Sequence, residues 1–91
     1  MISQLKALRY TPAGVPVVEF RLKHESERME AGAKRKVSAE IDAIAFEAQA
    51  RLVAGSALGR RLRADGFLCA VSKRSQKTVL HVTSIEFSEG N

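Results

Sequence analysis

The chain holds no tryptophan, a single cysteine and two prolines, and its aromatic set is limited to four phenylalanines and one tyrosine. A lone thiol, Cys69, cannot close an internal disulfide and has no second cysteine with which to build a zinc cluster. The sequence therefore suits a reducing compartment, and Cys69 reads as a filler in a strand. No apolar run approaches the ~20 residues of a membrane span, and Met1 to Leu8 lacks the continuous hydrophobic stretch of a signal peptide. The expected location is the cytoplasm, with no membrane partner. Catalytic patterns are missing as well: there is no P-loop, no G-x-S-x-G and no dinucleotide glycine pattern, and Gly55 to Gly59 reads as a helix stop. His24, His81 and Cys69 lack metal-ligand spacing and fall within alternating segments, so no enzyme, metal or cofactor is expected. With 91 residues there is no room for a second core, and one domain over 1–91 is expected.

What is present is a globular composition, 45% hydrophobic and 27% charged, enough to cover the entropy of ordering the chain. Acid is in short supply: ten Asp and Glu face fifteen Lys and Arg, giving a net charge of +5. Such a balance favours a polyanionic partner, with nucleic acid first. A domain this small buries a modest fraction of its surface, so further burial in a homodimer is expected.

The periodicity is that of a small β protein. Thr11-Pro12-Ala13-Gly14-Val15-Pro16 is a turn, in which proline fixes φ and Gly14 admits a positive one. From Val17 the pattern alternates, with Val18, Phe20, Leu22 and His24 inward and Val17, Glu19, Arg21, Lys23 and Glu25 outward. Glu27 to Lys36 is charged around Gly32 and reads as a hairpin tip that outruns the core. Alternation resumes at Val37, Ala39, Ile41 and Ala43. Ile44 to Ala54 carries a helical period through Ile44, Ala48 and Leu52, stopped by Gly55. Leu62, Ala64, Gly66 and Leu68 form a further strand, where Gly66 suggests a bulge. Ser72 to Lys77 is a basic loop, and Thr78 to Phe87 is a last strand whose phase slips near Thr83-Ser84. With Met1 to Tyr10 as the opening strand, the expectation is an all-β, five-stranded oligonucleotide/oligosaccharide-binding (OB) barrel. Its one short helix would lie between strands three and four.

Several segments carry a more specific likeness: Leu8-Arg9-Tyr10-Thr11-Pro12-Ala13-Gly14-Val15-Pro16, Leu22-Lys23-His24-Glu25-Ser26, Glu30-Ala31-Gly32, Gly66-Phe67-Leu68 and Val79-Leu80-His81. In this order, from about Leu8 to Phe87, they resemble the PriB family (primosomal replication protein N) of bacterial single-stranded DNA-binding proteins. The resemblance implies a dimeric OB-fold protein that binds single strands during replication restart, associated with the nucleoid, contacts the PriA helicase and hands on to DnaT. Two departures qualify it. The segment before the turn is shorter than the family's first strand, which would leave a barrel edge open to pairing. Ser38 also stands where some members place a stacking aromatic on the third strand, so that role does not transfer.

Binding one unpaired strand requires cations that track phosphates and flat side chains that stack on bases. Arg9 flanks the first turn, Arg21 and Lys23 face outward from strand two, Lys34, Arg35 and Lys36 follow the hairpin tip, and Lys73, Arg74 and Lys77 crowd the last loop. The last group is the strongest candidate and matches the family's basic loop between strands four and five. In the barrel order these segments are expected to converge on one side, with Arg60, Arg61 and Arg63 as secondary candidates. Phe20, Phe46 and Phe87 fall on apolar faces and are expected in the core. Tyr10 and Phe67 are out of phase with it and are candidates for base stacking or a dimer interface, with the interface favoured for Phe67. The competing reading is a protein-interaction adaptor on the same fold that binds DNA weakly or not at all.

Overall fold

The computed structural model describes residues 1–74 and 76–88. Its central feature is a long antiparallel ladder between β3 (Pro16–Glu30) and β4 (Ala33–Phe46), in register from Val17↔Phe46 to Glu30↔Ala33. The alternation dictates this pairing, because each inward residue of one strand meets an inward residue of the other: Val18 faces Ala45, Phe20 faces Ala43 and Leu22 faces Ile41. The first two pairs bury deeply, with Val18, Phe20, Ala43 and Ala45 all at or below 4% exposure. Beyond Leu22 the apolar partners run out, and the ladder continues as the expected projecting arm. The arm turns at Ala31-Gly32, where both residues adopt positive φ (52° and 80°). A two-residue loop of this kind matches the right-handed twist of its strands, but it is strained for alanine.

The opening strand is present in two pieces, β1 (Ile2–Leu5) and β2 (Arg9–Tyr10), both antiparallel to β3 and with an irregular register between Ile2 and Gln4. After β4 come α1 (Glu47–Ala54), β5 (Leu62–Ala70) and β6 (Thr78–Phe87). The sheet runs β1-β3-β4-β6-β5, with β4 and β6 parallel and the remaining pairs antiparallel. This is the anticipated all-β OB arrangement with one short helix, β1 and β2 together serving as its first strand. The strand ladder does not close into a ring. Closure is reduced to Ile2, whose N–H donates to the Arg60 carbonyl (3.0 Å) and whose carbonyl accepts from Gly59 N–H (2.8 Å). β5 is consequently an outer strand, and Leu68, assigned inward by alternation, is 60% exposed at that edge of the sheet.

The helix differs from the sequence expectation in both start and face. Ile44 and Phe46 belong to β4, held in register with Glu19 and Val17, so helical structure begins only at Glu47, whose φ of 56° marks the abrupt change of course. The later start rotates the wheel. Ala50 and Val53 point into the core, fully buried, whereas Ala48 and Leu52 face solvent. With Ile2 and Val82 they complete the cluster around Val18, Phe20, Ala43 and Ala45. Among the described residues no helix is long and apolar enough to cross a membrane.

The expected bulge is present where Gly66 predicted it. The β5–β6 register passes from Asp65↔Ser84 to Gly66↔Val82, which leaves Thr83 as the extra residue and accounts for the phase slip. Here the backbones approach so closely that a Cβ on Gly66 would collide with the His81 carbonyl oxygen. Gly66→Ala is therefore expected to destabilise the fold by about 1–3 kcal/mol in urea unfolding, as other forced overpacking does. Ala31→Asn, which relaxes the positive φ at the hairpin turn, is expected to stabilise it by roughly 0.5–1 kcal/mol in the same assay.

Candidate nucleic-acid interface

Register places on the outer face of the sheet a row of residues that sequence spacing alone does not join. Glu19 lies opposite Ile44, Ile44 beside His81, and His81 opposite Phe67, so β3, β4, β6 and β5 each contribute one side chain. Lys6 extends the row at the far edge, its amide donating to the Glu19 carbonyl and its ammonium 3.7 Å from the Glu19 carboxylate. Phe46, two residues past Ile44, leans onto the same row. His81 stacks with two rings, its centroid 5.1 Å from that of Phe46 at an interplanar angle of 28° and 4.7 Å from that of Phe67 at 15°. Such spacing is that of stacked aromatic pairs. Phe67 remains 53% exposed on this face of the sheet.

This assembly corrects the expectation that Phe46 packs in the core: the extension of β4 to Phe46 turns it outward and half-buries it against His81. Phe20 alone of the three is core, at 4% exposure. Phe87 is half-buried at the end of β6 beneath the Arg60 guanidinium, 5.0 Å from its ring centroid. Tyr10 is 57% exposed on β2 and makes no ring contact among the described residues.

The next row places Gln4 opposite Arg21 and Arg21 opposite Asp42. The two rows border a cleft of about 280 Å³ lined also by Lys77, Val71 and Val79. The cleft gathers Lys6, Arg21 and Lys77 from three distant stretches of sequence. Lys73 and Arg74 lie exposed in the turn beside it, and Val71 N–H to Lys77 C=O (3.0 Å) closes that loop. Neither Lys73 nor Arg74 enters an ion pair among the described residues.

The other predicted cations are set differently. Arg9 faces Glu19 (3.8 Å), Lys23 faces Glu25 (3.2 Å), and Arg21 donates to Asp42 at 2.9 Å with Glu40 also near. The hydrogen bond to Asp42, followed by that carboxylate's charge and a lesser push from Glu40, raises the Arg21 guanidinium above its ordinary pKa. At the arm tip alternation divides Lys34-Arg35-Lys36. Lys34 and Lys36 share a face with Met29 and Glu27, while Arg35 turns to the other face opposite Arg28 and holds Glu30 at 2.7 Å. The structure thus brings Arg21 and Lys77 together with Lys6, places Lys73 and Arg74 beside them, and leaves the arm cations on a separate projection.

Lys6, Phe46 and His81 are the members that sequence reasoning missed. An opening strand read only as a strand gave Lys6 no position, and His81 was legible only as an outward residue beside inward Val82. Among the described residues no cluster of His, Cys, Asp and Glu could hold a metal ion.

An OB sheet with stacked rings on its outer face and a basic loop at their side defines a class, the single-strand binding proteins. A family model described as "Another single-strand binding protein family" matches residues 1–84. Curated relatives include the replication restart protein PriB of Bordetella pertussis, 45% identical over 76 residues that cover 84% of this chain and 71% of the relative. The PriB of Neisseria meningitidis serogroup A is 36% identical over 90 residues, covering 99% and 89%. Among solved structures, PriB from Ralstonia solanacearum superposes with a TM-score of 0.78 at 32% identity, covering 96% of this chain and 89% of that one. The single-stranded DNA-binding protein of Thermus aquaticus shares the fold, with a TM-score of 0.73 at 23% identity over 98% of this chain and 48% of its own. The chain belongs to the PriB family.

Proposed function

We propose that this chain is a non-enzymatic accessory protein of replication restart, a single OB domain over 1–91 that binds single-stranded DNA through its basic loop and outer sheet face. The observation that carries the reading is the exposed Phe67 ring, stacked on His81 with Phe46 nearby, beside a loop bearing Lys73, Arg74 and Lys77. A base stacks on Phe67 while the phosphates on either side meet the loop cations and, across the cleft, Lys6 and Arg21. Arg9, Lys23, Lys34, Arg35 and Lys36 contribute more diffusely, because three of the five already face a carboxylate. Membership of a family whose curated relatives are named for replication restart supports the cellular role. The partners are single-stranded DNA, a second copy of the chain, and the restart proteins PriA and DnaT, and the setting is the cytoplasm at the nucleoid. The small size of the domain favours homodimerisation, since pairing adds burial that one copy lacks.

The adaptor reading has one observation in its favour. Glu19, Glu40 and Asp42 sit among the cations of the outer face and neutralise several of them. Fluorescence anisotropy of a labelled oligothymidylate separates the two. The DNA-binding reading expects binding at low salt that falls steeply as salt rises. Changing Lys73, Arg74 and Lys77 together to Ala should reduce the log–log salt slope by about 2, at ~0.7 per phosphate contact. Failure of the unaltered protein to bind at low salt would establish the adaptor reading. Phe67→Ala is expected to weaken binding by about 1–3 kcal/mol, the range for loss of one stacked base, with the salt slope unchanged.

A further inference from the structure

The edge of β4 that faces away from β3 is covered at one end only. β6 pairs with it at Ala43, Ile44 and Ala45, and from Ala33 to Asp42 no strand lies against it among the described residues. The opening strands β1 and β2 lie across β3, on the other side of the ladder, so this edge is set by β4 and β6 alone. An extended edge of this length is a template for a further strand, and proteins commonly blunt such an edge with charge. Here both signs occur, in a fixed order. Alternate residues on the outer face read Lys34, Lys36, Ser38, Glu40 and Asp42, all exposed. Cations stand on one side of Ser38 and carboxylates at matching distances on the other. On the inner face Val37 and Ala39 flank the same centre, with Arg35 and Ile41 beyond them. Lys34 and Lys36 enter no ion pair among the described residues, although Lys36 lies opposite Glu27.

We propose that two copies of the chain pair antiparallel along this edge, β4 against β4, about a two-fold axis at Ser38. Residues directly opposite in an antiparallel ladder share a face. About that centre Lys36 meets the partner's Glu40, Lys34 the partner's Asp42, and Val37 the partner's Ala39. The axis repeats every contact, so the interface is isologous. Opposite charges across a ladder attract, whereas parallel pairing in register would set like beside like. Sliding the partner by one residue would put inner side chains against outer ones. Sliding it by two loses half of the charge pairs: in one direction Lys36 falls against Ser38, in the other Lys34 reaches Ile44, which β6 already holds. Arg21 contacts Asp42 at 2.9 Å and Glu40 at 3.7 Å from the β3 side, and each carboxylate has further lone pairs for a lysine from the other side. A second copy is already a partner under the proposed function, on which this pairing rests, and the β4 edge is the surface it uses. A two-fold that joins two edges in this way stands perpendicular to the sheet, so the outer faces of both copies look to the same side.

Sedimentation velocity of the full chain over a range of concentrations, without DNA, measures the pairing. Lys36→Glu sets a glutamate against the partner's Glu40 at both symmetric positions and should weaken self-association about tenfold. Lys36→Glu/Glu40→Lys restores opposite charges across the axis and should recover it. Register is read separately in a Cys69→Ser background, which removes the native thiol. There Ser38→Cys should be oxidised by diamide to a disulfide-linked dimer, because the two thiols face each other at the axis, and much faster than Met29→Cys, an exposed position on the other strand of the arm. All of these side chains except that of Cys69 are exposed, and circular dichroism checks the fold of each variant. The proposal is overturned if the unaltered chain sediments as a monomer at every concentration, if Lys36→Glu leaves each association step unchanged, if the charge exchange fails to restore it, or if Ser38→Cys cross-links no faster than Met29→Cys. Weaker oligothymidylate binding by Lys36→Glu with self-association unchanged would also overturn it and would assign Lys36 to the DNA path. Binding of oligothymidylate by the unaltered protein is measured apart, so failure of the DNA-binding reading leaves these outcomes standing.

Discussion

Every other element of this protein is arranged on the β3–β4 ladder. Its inward residues Val18, Phe20, Ala43 and Ala45 are small or flat enough to bring the sheet close to α1, and they form the floor against which Ile2, Val53 and Val82 pack. The same ladder fixes the outer face, because a strand that commits Phe20 and Ala43 inward must commit Glu19, Ile44 and Arg21 outward. Slipping the register by one residue would exchange core for surface along the whole pair. The strength of the hydrophobic requirement at one end therefore dictates where the charged and aromatic groups appear. It also carries that order beyond the core to the arm, where few apolar contacts remain.

The outer face balances attraction against neutralisation. Lys6 and Arg9 share Glu19, and Arg21 is held between Asp42 and Glu40, so these cations are already partly satisfied before any ligand arrives. Exposed pairs of this kind contribute little to folding, but they matter to a polyanion, which must replace the carboxylates as well as attract the cations. Lys73 and Arg74 carry no such partner among the described residues. These two cations sit in a loop, while the aromatic stack is set on strands, where its geometry is held.

Much of the architecture was legible because the chain punctuates itself clearly. The prolines around Gly14, the polar run around Gly32 and the phase change at Gly66 each mark a feature that the structure contains. Gly66 was readable because only a residue without a side chain tolerates the approach of the His81 carbonyl. The start of α1 was not readable: Ile44 fits a helical period as well as it fits a strand, and only pairing with Glu19 and His81 decides between them. That one choice hid the ring stack, since a helical reading removes Phe46 from the face on which His81 and Phe67 lie. Clustering of cations was visible in sequence at Lys73, Arg74 and Lys77, whereas their neutralisation elsewhere depends on cross-strand partners that no local pattern reveals.

The arm from Glu27 to Lys36 has a further consequence. Its backbone bonds link two strands only to each other, and the side chains along it offer almost no shared apolar cover, so opening it from the turn sacrifices little besides those bonds. Amide protons there will exchange with solvent progressively faster toward Gly32, while those beside Phe20 wait for global unfolding. The protein thus carries a gradient of local melting along one continuous hairpin, rigid where it touches the helix and pliant at its far end.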